Sequence, residues 1–190
     1  MKKLKDLVEI FSGQSFRERI ENDSEGNLYV IQMKDLSDDY SSIIASPISI
    51  RSNDISGKQI LRKGDVLFLS KGTNNFALVF DKSYNAIATS IFFVLRLNSN
   101  QIDPYFLAWY INQENAQAYL HTGKEGSGIT NINKATLENL EVEIIPLDKQ
   151  QHLLTVHELW KHEKEISLAL LEKKDKLIQQ QLISMFNGKV

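Results

Sequence analysis

Residues 148–187, DKQQHLLTVHELWKHEKEISLALLEKKDKLIQQQLISMFN, contain neither proline nor glycine, while Leu, Ile, Gln, Glu and Lys recur throughout. That composition predicts one long helix, and its length makes it the element around which the rest of the chain is read. Asp148 is placed to cap its start with Gln151 returning from the third helical position, Pro146 blocks an earlier start, and Gly188 follows the last apolar residues. At 1.5 Å per residue the helix runs about 60 Å, longer than a domain built from the preceding residues is wide. Val156, Leu159, Ile166, Leu170 and Leu177 follow steps of three, seven, four and seven, the rhythm of a coiled coil. Glu163, Lys173 and Gln180 interrupt that stripe, and the apolar face drifts towards Leu171, Ile178, Leu182, Met185 and Phe186. A helix that pairs with another is expected, the alternative being a terminal helix folded back on its own domain.

Upstream, short apolar runs separated by polar turns predict a β-rich body. Met1 to Ile10 reads as a short helix or edge segment, and Leu28–Met33, Val66–Leu69, Phe76–Phe80 and Ile91–Leu97 read as strands. Their short connections imply mostly antiparallel pairing. Asp103 and Pro104 supply a cap and a first helical position for Phe106, Leu107, Tyr110 and Ile111, and a second helix carries Ala116, Tyr119 and Leu120. Asn133 caps a short helix through Leu140, and Glu141–Ile145 alternates as a strand. The expected class is α+β: a β-rich domain with short helices over residues 1–146, then one long coiled-coil helix over 147–190.

Composition narrows the function. Lys and Arg total 22 against 24 for Asp and Glu, a formal net charge of −2, which argues against a free-standing high-affinity DNA binder. It leaves room for a module that lays one basic face on DNA while a more basic partner supplies most phosphate contacts. The absence of cysteine removes disulfides and thiolate metal sites, and no apolar run approaches membrane-spanning length, so cytoplasm is the default location.

The motifs of catalysis are missing or incomplete. His152, His157 and His162 are spaced by fives, which turns about 500° per step and scatters them around a helix. His157-Glu158-Leu159-Trp160-Lys161 starts like a zinc-protease motif but has lysine where the second histidine belongs. Gly123-Lys124 lacks the Ser or Thr and the first glycine of a phosphate loop, and no Asn-Pro-Pro-aromatic segment is present to hold a flipped adenine. Glu172-Lys173-Lys174 has the Glu-x-Lys order of nuclease sites but falls in the long helix, where charges usually solvate a face. A non-catalytic, metal-free chain is expected.

Three polar segments are candidates for nucleic acid. Arg17 and Arg19 follow a glycine-containing turn and suit phosphate, or are simply solvated. Loops with Lys71, Thr73, Asn74 and Asn75, and with Lys124, Ser127, Thr130 and Asn131, carry donors and acceptors that read base edges and grip phosphates, or merely make turns.

The order of several segments resembles the specificity subunit of type I restriction-modification systems. These are Leu61-Arg62-Lys63-Gly64-Asp65-Val66-Leu67-Phe68-Leu69-Ser70-Lys71-Gly72-Thr73, Ala86-Ile87-Ala88-Thr89-Ser90, Asp103-Pro104-Tyr105-Phe106-Leu107, Gly126-Ser127-Gly128-Ile129 and Ile145-Pro146-Leu147-Asp148-Lys149-Gln150. Each is degenerate, but their order and spacing cover nearly the whole chain. The resemblance implies that residues 1–146 are a target recognition domain reading one half of a bipartite sequence in double-stranded DNA, and that 147–190 are a spacer helix docking methyltransferase subunits. It further implies adenine methylation with S-adenosylmethionine held by those partners, and cleavage only when a restriction subunit joins. Because the motif around Lys71 is shared among different targets, Lys71 and Thr73 are assigned to the DNA backbone, and Asn74, Asn75 and Asn131 to bases. The chain has one recognition domain and one helix where the family usually has two of each, so an antiparallel homodimer and an interrupted palindromic target are expected. The competing reading is a truncated dimerisation or regulatory module that reads no DNA.

Overall fold

Alternating burial builds the first elements of the computed structural model, which describes residues 1–37, 39–44, 46–51, 55–72, 75–122 and 130–188. Strand β1 (Lys2–Lys3) leads through a 3-10 turn, Leu4–Asp6, into β2 (Val8–Ser12), where Val8 and Ile10 are buried and Glu9 and Ser12 are exposed. Then follow β3 (Leu28–Ile31), β4 (Ile48–Ile50), β5 (Val66–Leu69), β6 (Lys71–Gly72), β7 (Ala77–Val79), β8 (Ala86–Ala88) and β9 (Phe92–Leu97). Helices α1 (Pro104–Ile111) and α2 (Glu114–Leu120) precede β10 (Thr130–Asn131), α3 (Lys134–Glu138), β11 (Glu141–Val142) and the 40-residue α4 (Leu147–Phe186). The class is α+β. The chain divides into two units, Met1–Gln150 and Gln151–Val190.

In the first unit a four-stranded antiparallel sheet has the order β2-β9-β5-β7, and a three-stranded sheet the order β4-β3-β8. All four residues of β5 are buried, as expected of a continuous apolar run covered on both faces. Leu67 and Leu69 share a cluster with Phe92 and Val94 and with Ile31, Ala86 and Ala88 of the three-stranded sheet. Helix α1 packs along β5 and β7. Fully burying each such side chain contributes about 1.5–3 kcal/mol, so the central sheet is the stable frame on which the loops are mounted.

Two pairings depart from local, antiparallel expectation. Strands β3 and β8 pair in parallel, with Tyr29 opposite Ala86 and Ile31 opposite Ala88. Segments expected as loops form a ribbon, β6 against β10, with Lys71 opposite Asn131 and Gly72 opposite Thr130.

The helix caps are partly as expected. The Asp103 carboxylate accepts from the Tyr105 and Phe106 N–H groups at 2.8 and 3.3 Å, with Pro104 at the first helical position. Asn133 Oδ1 accepts from the Thr136 N–H at 2.8 Å, although α3 stops at Glu138 and β11 at Val142. The long helix starts one residue before the expected Asp148 cap, because the Pro146 carbonyl already accepts from the Gln150 N–H at 3.0 Å. Asp148 therefore lies in the first turn, where its charge suits the exposed N–H groups. At the other end Gly188 takes φ +65° and its N–H reaches the Met185 carbonyl at 3.1 Å.

Candidate nucleic-acid interface

The register of the central sheet decides which loops lie together. Strand β9 runs between β2 and β5, with Ser12 opposite Phe93 and Leu69 opposite Phe92, so β2 and β5 end at the same edge, where β9 begins. Backbone bonds extend that edge: Gly13 N–H to Phe92 C=O at 3.0 Å, Gln14 N–H to Ala88 C=O at 2.8 Å, Ser90 N–H to Gln14 C=O and Ser70 N–H to Ile91 C=O, both at 2.9 Å. Gly13 is required by the closeness of this approach, since a Cβ there would overlap the carbonyl oxygens of Thr89 and Ala88.

The segment with Arg17 and Arg19 leaves this edge directly after Gln14. Phe16 and Ile20 pack on the cluster of Leu28, Val30 and Ile87, while Arg17 and Arg19 are exposed. The hairpin from β5 to β7 leaves the same edge and carries Lys71. Its partner β10 is held by the Ile132 N–H donating to Ser70 C=O at 2.9 Å, and the register sets exposed Lys71 and Asn131 side by side on one face. A two-stranded ribbon bearing a cation and an amide has the width and chemistry that a DNA major groove admits. Thr130 is described by its backbone alone, and Thr73, Asn74, Lys124 and Ser127 lie outside the described residues.

Asn75 corrects the sequence reading. It is 3% exposed, with its amide nitrogen donating to the Leu69 carbonyl at 3.0 Å, so it closes the hairpin from within rather than facing a base. Its polarity suggested a surface loop; its role is to satisfy a strand-end carbonyl beside Phe76.

The motif residues next to the hairpin are structural. Gly64 adopts φ +94°, which favours glycine, and turns the chain so that Asp65 points inward. Asp65 is 3% exposed and meets Arg96 bidentately at 3.0 and 2.7 Å, while its Oδ2 also accepts from the Arg62 N–H at 2.8 Å. Arg96 further donates to the Ile60 carbonyl at 2.8 Å, and hydrogen bonding to Asp65 raises its pKa above the ordinary arginine value. In the first turn of α4, wholly buried Gln150 donates to the carbonyls of Gln101 at 2.9 Å and Ile145 at 2.7 Å and accepts from the Asp103 N–H at 2.8 Å. The sequence predicts a cap from Asp148 with Gln151 and assigns Gln150 no role of its own. A glutamine beside a charged helix start reads as solvated, and only the long-range partners reveal otherwise.

In the second unit Val156, Leu159, Ile166, Leu170, Leu177 and Ile178 are each between 51 and 66% exposed. At 100° per residue the first five fall within an arc of about 80°, and Ile178 sits beside it with Leu171, Leu182 and Met185. Among the described residues no helix is long and apolar enough to cross a membrane, and no group of three or more His, Cys, Asp or Glu is arranged to hold a metal ion.

Comparison with known proteins agrees with this architecture. A solved structure described as showing complex assembly and conformational transition of the type I R-M system superposes with a TM-score of 0.73 at 19% identity, over 99% of this chain and 45% of that one. The HsdS subunit from Thermoanaerobacter tengcongensis gives 0.62 at 17% identity, over 85% of this chain and 37% of that one. The type I S subunit from M. genitalium gives 0.55 at 17% identity, over 99% and 46%. This chain thus spans less than half the length of each of these three chains. Curated protein sequences give no significant match. The family profile described as "Type I restriction modification DNA specificity domain" matches residues 1–179, and the chain belongs to that family.

Proposed function

We propose that the chain is the DNA-reading subunit of a type I restriction-modification methyltransferase and is itself non-catalytic. Residues 1–146 act as the target recognition domain for one half-site; residues 147–190 act as spacer, dimerisation element and dock for methyltransferase subunits. The observation that carries this reading is that exposed Arg17 and Arg19, and Lys71 paired with Asn131, belong to segments leaving one edge of the central sheet. Arg17, Arg19, Lys71, Thr73 and Lys124 serve phosphates, and Asn74, Asn131, Ser127 and Thr130 serve base edges and the groove.

Four or so cations offset few phosphates, so binding is strong only when partner subunits contribute the rest, in keeping with a net charge of −2. The exposed stripe on α4 suits a second copy packed antiparallel, which sets two identical readers in inverted orientation on an interrupted palindrome. The partner enzyme supplies S-adenosylmethionine and the methyl transfer; a restriction subunit adds cleavage.

Titration of duplex DNA with the chain and its methyltransferase subunits, across salt concentrations, tests the reading. Lys71→Ala weakens binding to all sequences alike and flattens the salt slope by about one. A changed sequence preference with an unchanged slope would remove Lys71 from the phosphate contacts, and no contribution of the chain to DNA binding by the complex would overturn the function.

A further inference from the structure

Among the described residues Tyr40 is the one non-glycine residue with a positive φ, +58°, a backbone region that tyrosine rarely adopts. The surrounding chain over-determines it. Leu36 and Ile43 form a β-bridge and are both 6% exposed, the Ser37 N–H donates to Ser42 C=O at 2.9 Å, and the Ile44 N–H donates to Asp35 C=O at 3.0 Å. The Tyr40 N–H itself donates to Ser37 C=O at 2.8 Å. Asp39 Oδ1 gathers the Ser37 hydroxyl at 2.6 Å and the Ser41 hydroxyl at 2.8 Å. What this constrained turn delivers is the tyrosine ring, stacked on Phe76 with centroids 4.2 Å apart and planes 21° from parallel.

Phe76 is the closing residue of the hairpin that carries Lys71. Its carbonyl accepts from the Leu69 N–H at 2.9 Å, and its neighbour Asn75 holds the Leu69 carbonyl. Both rings are half-buried and lie against the cluster containing Leu69 and Phe92. A ring carried on a hydrogen-bonded turn, packed on the core cluster and stacked at the hairpin's root limits the directions in which the hairpin can lean, and with it the Lys71–Asn131 ribbon.

We propose that Tyr40 is a positioning residue for DNA reading: stacked on Phe76, it fixes the hairpin and ribbon in the orientation that meets the bases. This deepens the function proposed above and rests on it. Tyr40→Gly removes the stack while relieving the positive φ, which offsets part of the stability lost with the ring, and sequence preference rather than stability reads the positioning.

The test is selection from a randomised duplex DNA library by the full chain with its methyltransferase subunits, read by sequencing, beside melting curves of each variant. Tyr40→Phe is expected to recover the wild-type motif. Tyr40→Gly, folded with a lowered melting temperature and assayed well below it, is expected to lose discrimination at one or two adjacent base pairs and to bind the wild-type site roughly five- to hundred-fold more weakly. Phe76→Leu is expected to lose discrimination at the same positions, and it decides the matter if Tyr40→Gly does not fold. A wild-type motif recovered at full strength by Tyr40→Gly, or by Phe76→Leu where the glycine variant is unfolded, would overturn the positioning role and leave the DNA-reading function standing. If the wild-type chain enriches no motif, the function and the inference fall together.

Discussion

Replacing Gln150 with leucine tests whether the helix start is held by hydrogen bonds that cannot be remade. The substitution keeps comparable side-chain bulk but ends one atom shorter, and it adds apolar contact of about 1–2 kcal/mol while stranding the Gln101 and Ile145 carbonyls and the Asp103 N–H, which Gln150 now satisfies at 2.7–2.9 Å. Three stranded groups at about 1–3 kcal/mol each, less that gain, leave a net loss centred on about 4–5 kcal/mol. In a unit of this size that lowers the melting temperature by roughly 10–20 °C. Urea or thermal unfolding followed by circular dichroism, at one fixed chain concentration, reads it. The neighbouring Gln151 is exposed, and Gln151→Leu should change stability by no more than about 0.5 kcal/mol. Equal, small effects from the two substitutions would refute the assignment of Gln150 as the internal stitch between the 101–103 segment, Ile145 and the helix start.

Three further outcomes follow from the same geometry. Gly13→Ala forces the chain away from the Thr89 and Ala88 carbonyls, which are backbone and cannot swing aside, so it should destabilise by about 2 kcal/mol or more in chemical unfolding. Arg96→Leu leaves the Asp65 carboxylate buried without its cation and should cost about 3–5 kcal/mol, whereas replacing both residues with apolar ones should cost much less; equal losses would contradict it. Changing Ile166, Leu170 and Leu177 together to Asp should convert a dimer to monomer in sedimentation while the circular dichroism of the first unit persists, and a mass unchanged by the substitutions would exclude pairing through this face.

Local chemistry made much of the fold legible. Val66–Leu69 reads as a buried strand because four consecutive apolar residues follow a glycine turn, and Asp103-Pro104 reads as a helix start because both residues have one favoured use there. The α+β class and the long helix followed from such signals. What escaped was non-local. Ala86–Ala88 is too short and too small-chained to announce a strand, and its parallel partner β3 lies more than fifty residues earlier. The β6–β10 ribbon joins two-residue pieces nearly sixty positions apart, and nothing in Lys71-Gly72 encodes Asn131 as its neighbour. Lys71, Asn131, Arg17 and Arg19 of the candidate interface are exposed as their polarity suggests, whereas Asn75 in the hairpin and Gln150 at the start of the long helix are buried because their amides meet main-chain groups that only the tertiary fold brings near.

Under the proposed function, this chain would supply the sequence selectivity of a methyltransferase by presenting two copies of one reader. Sequencing that detects methylated adenine, in a host otherwise free of such methylation, tests it directly when the methyltransferase subunits are expressed with and without this chain. The account predicts methylation only with the chain, confined to an interrupted motif whose two halves are inverted repeats. Methylation that is the same without the chain, or a motif with unrelated halves, would contradict it.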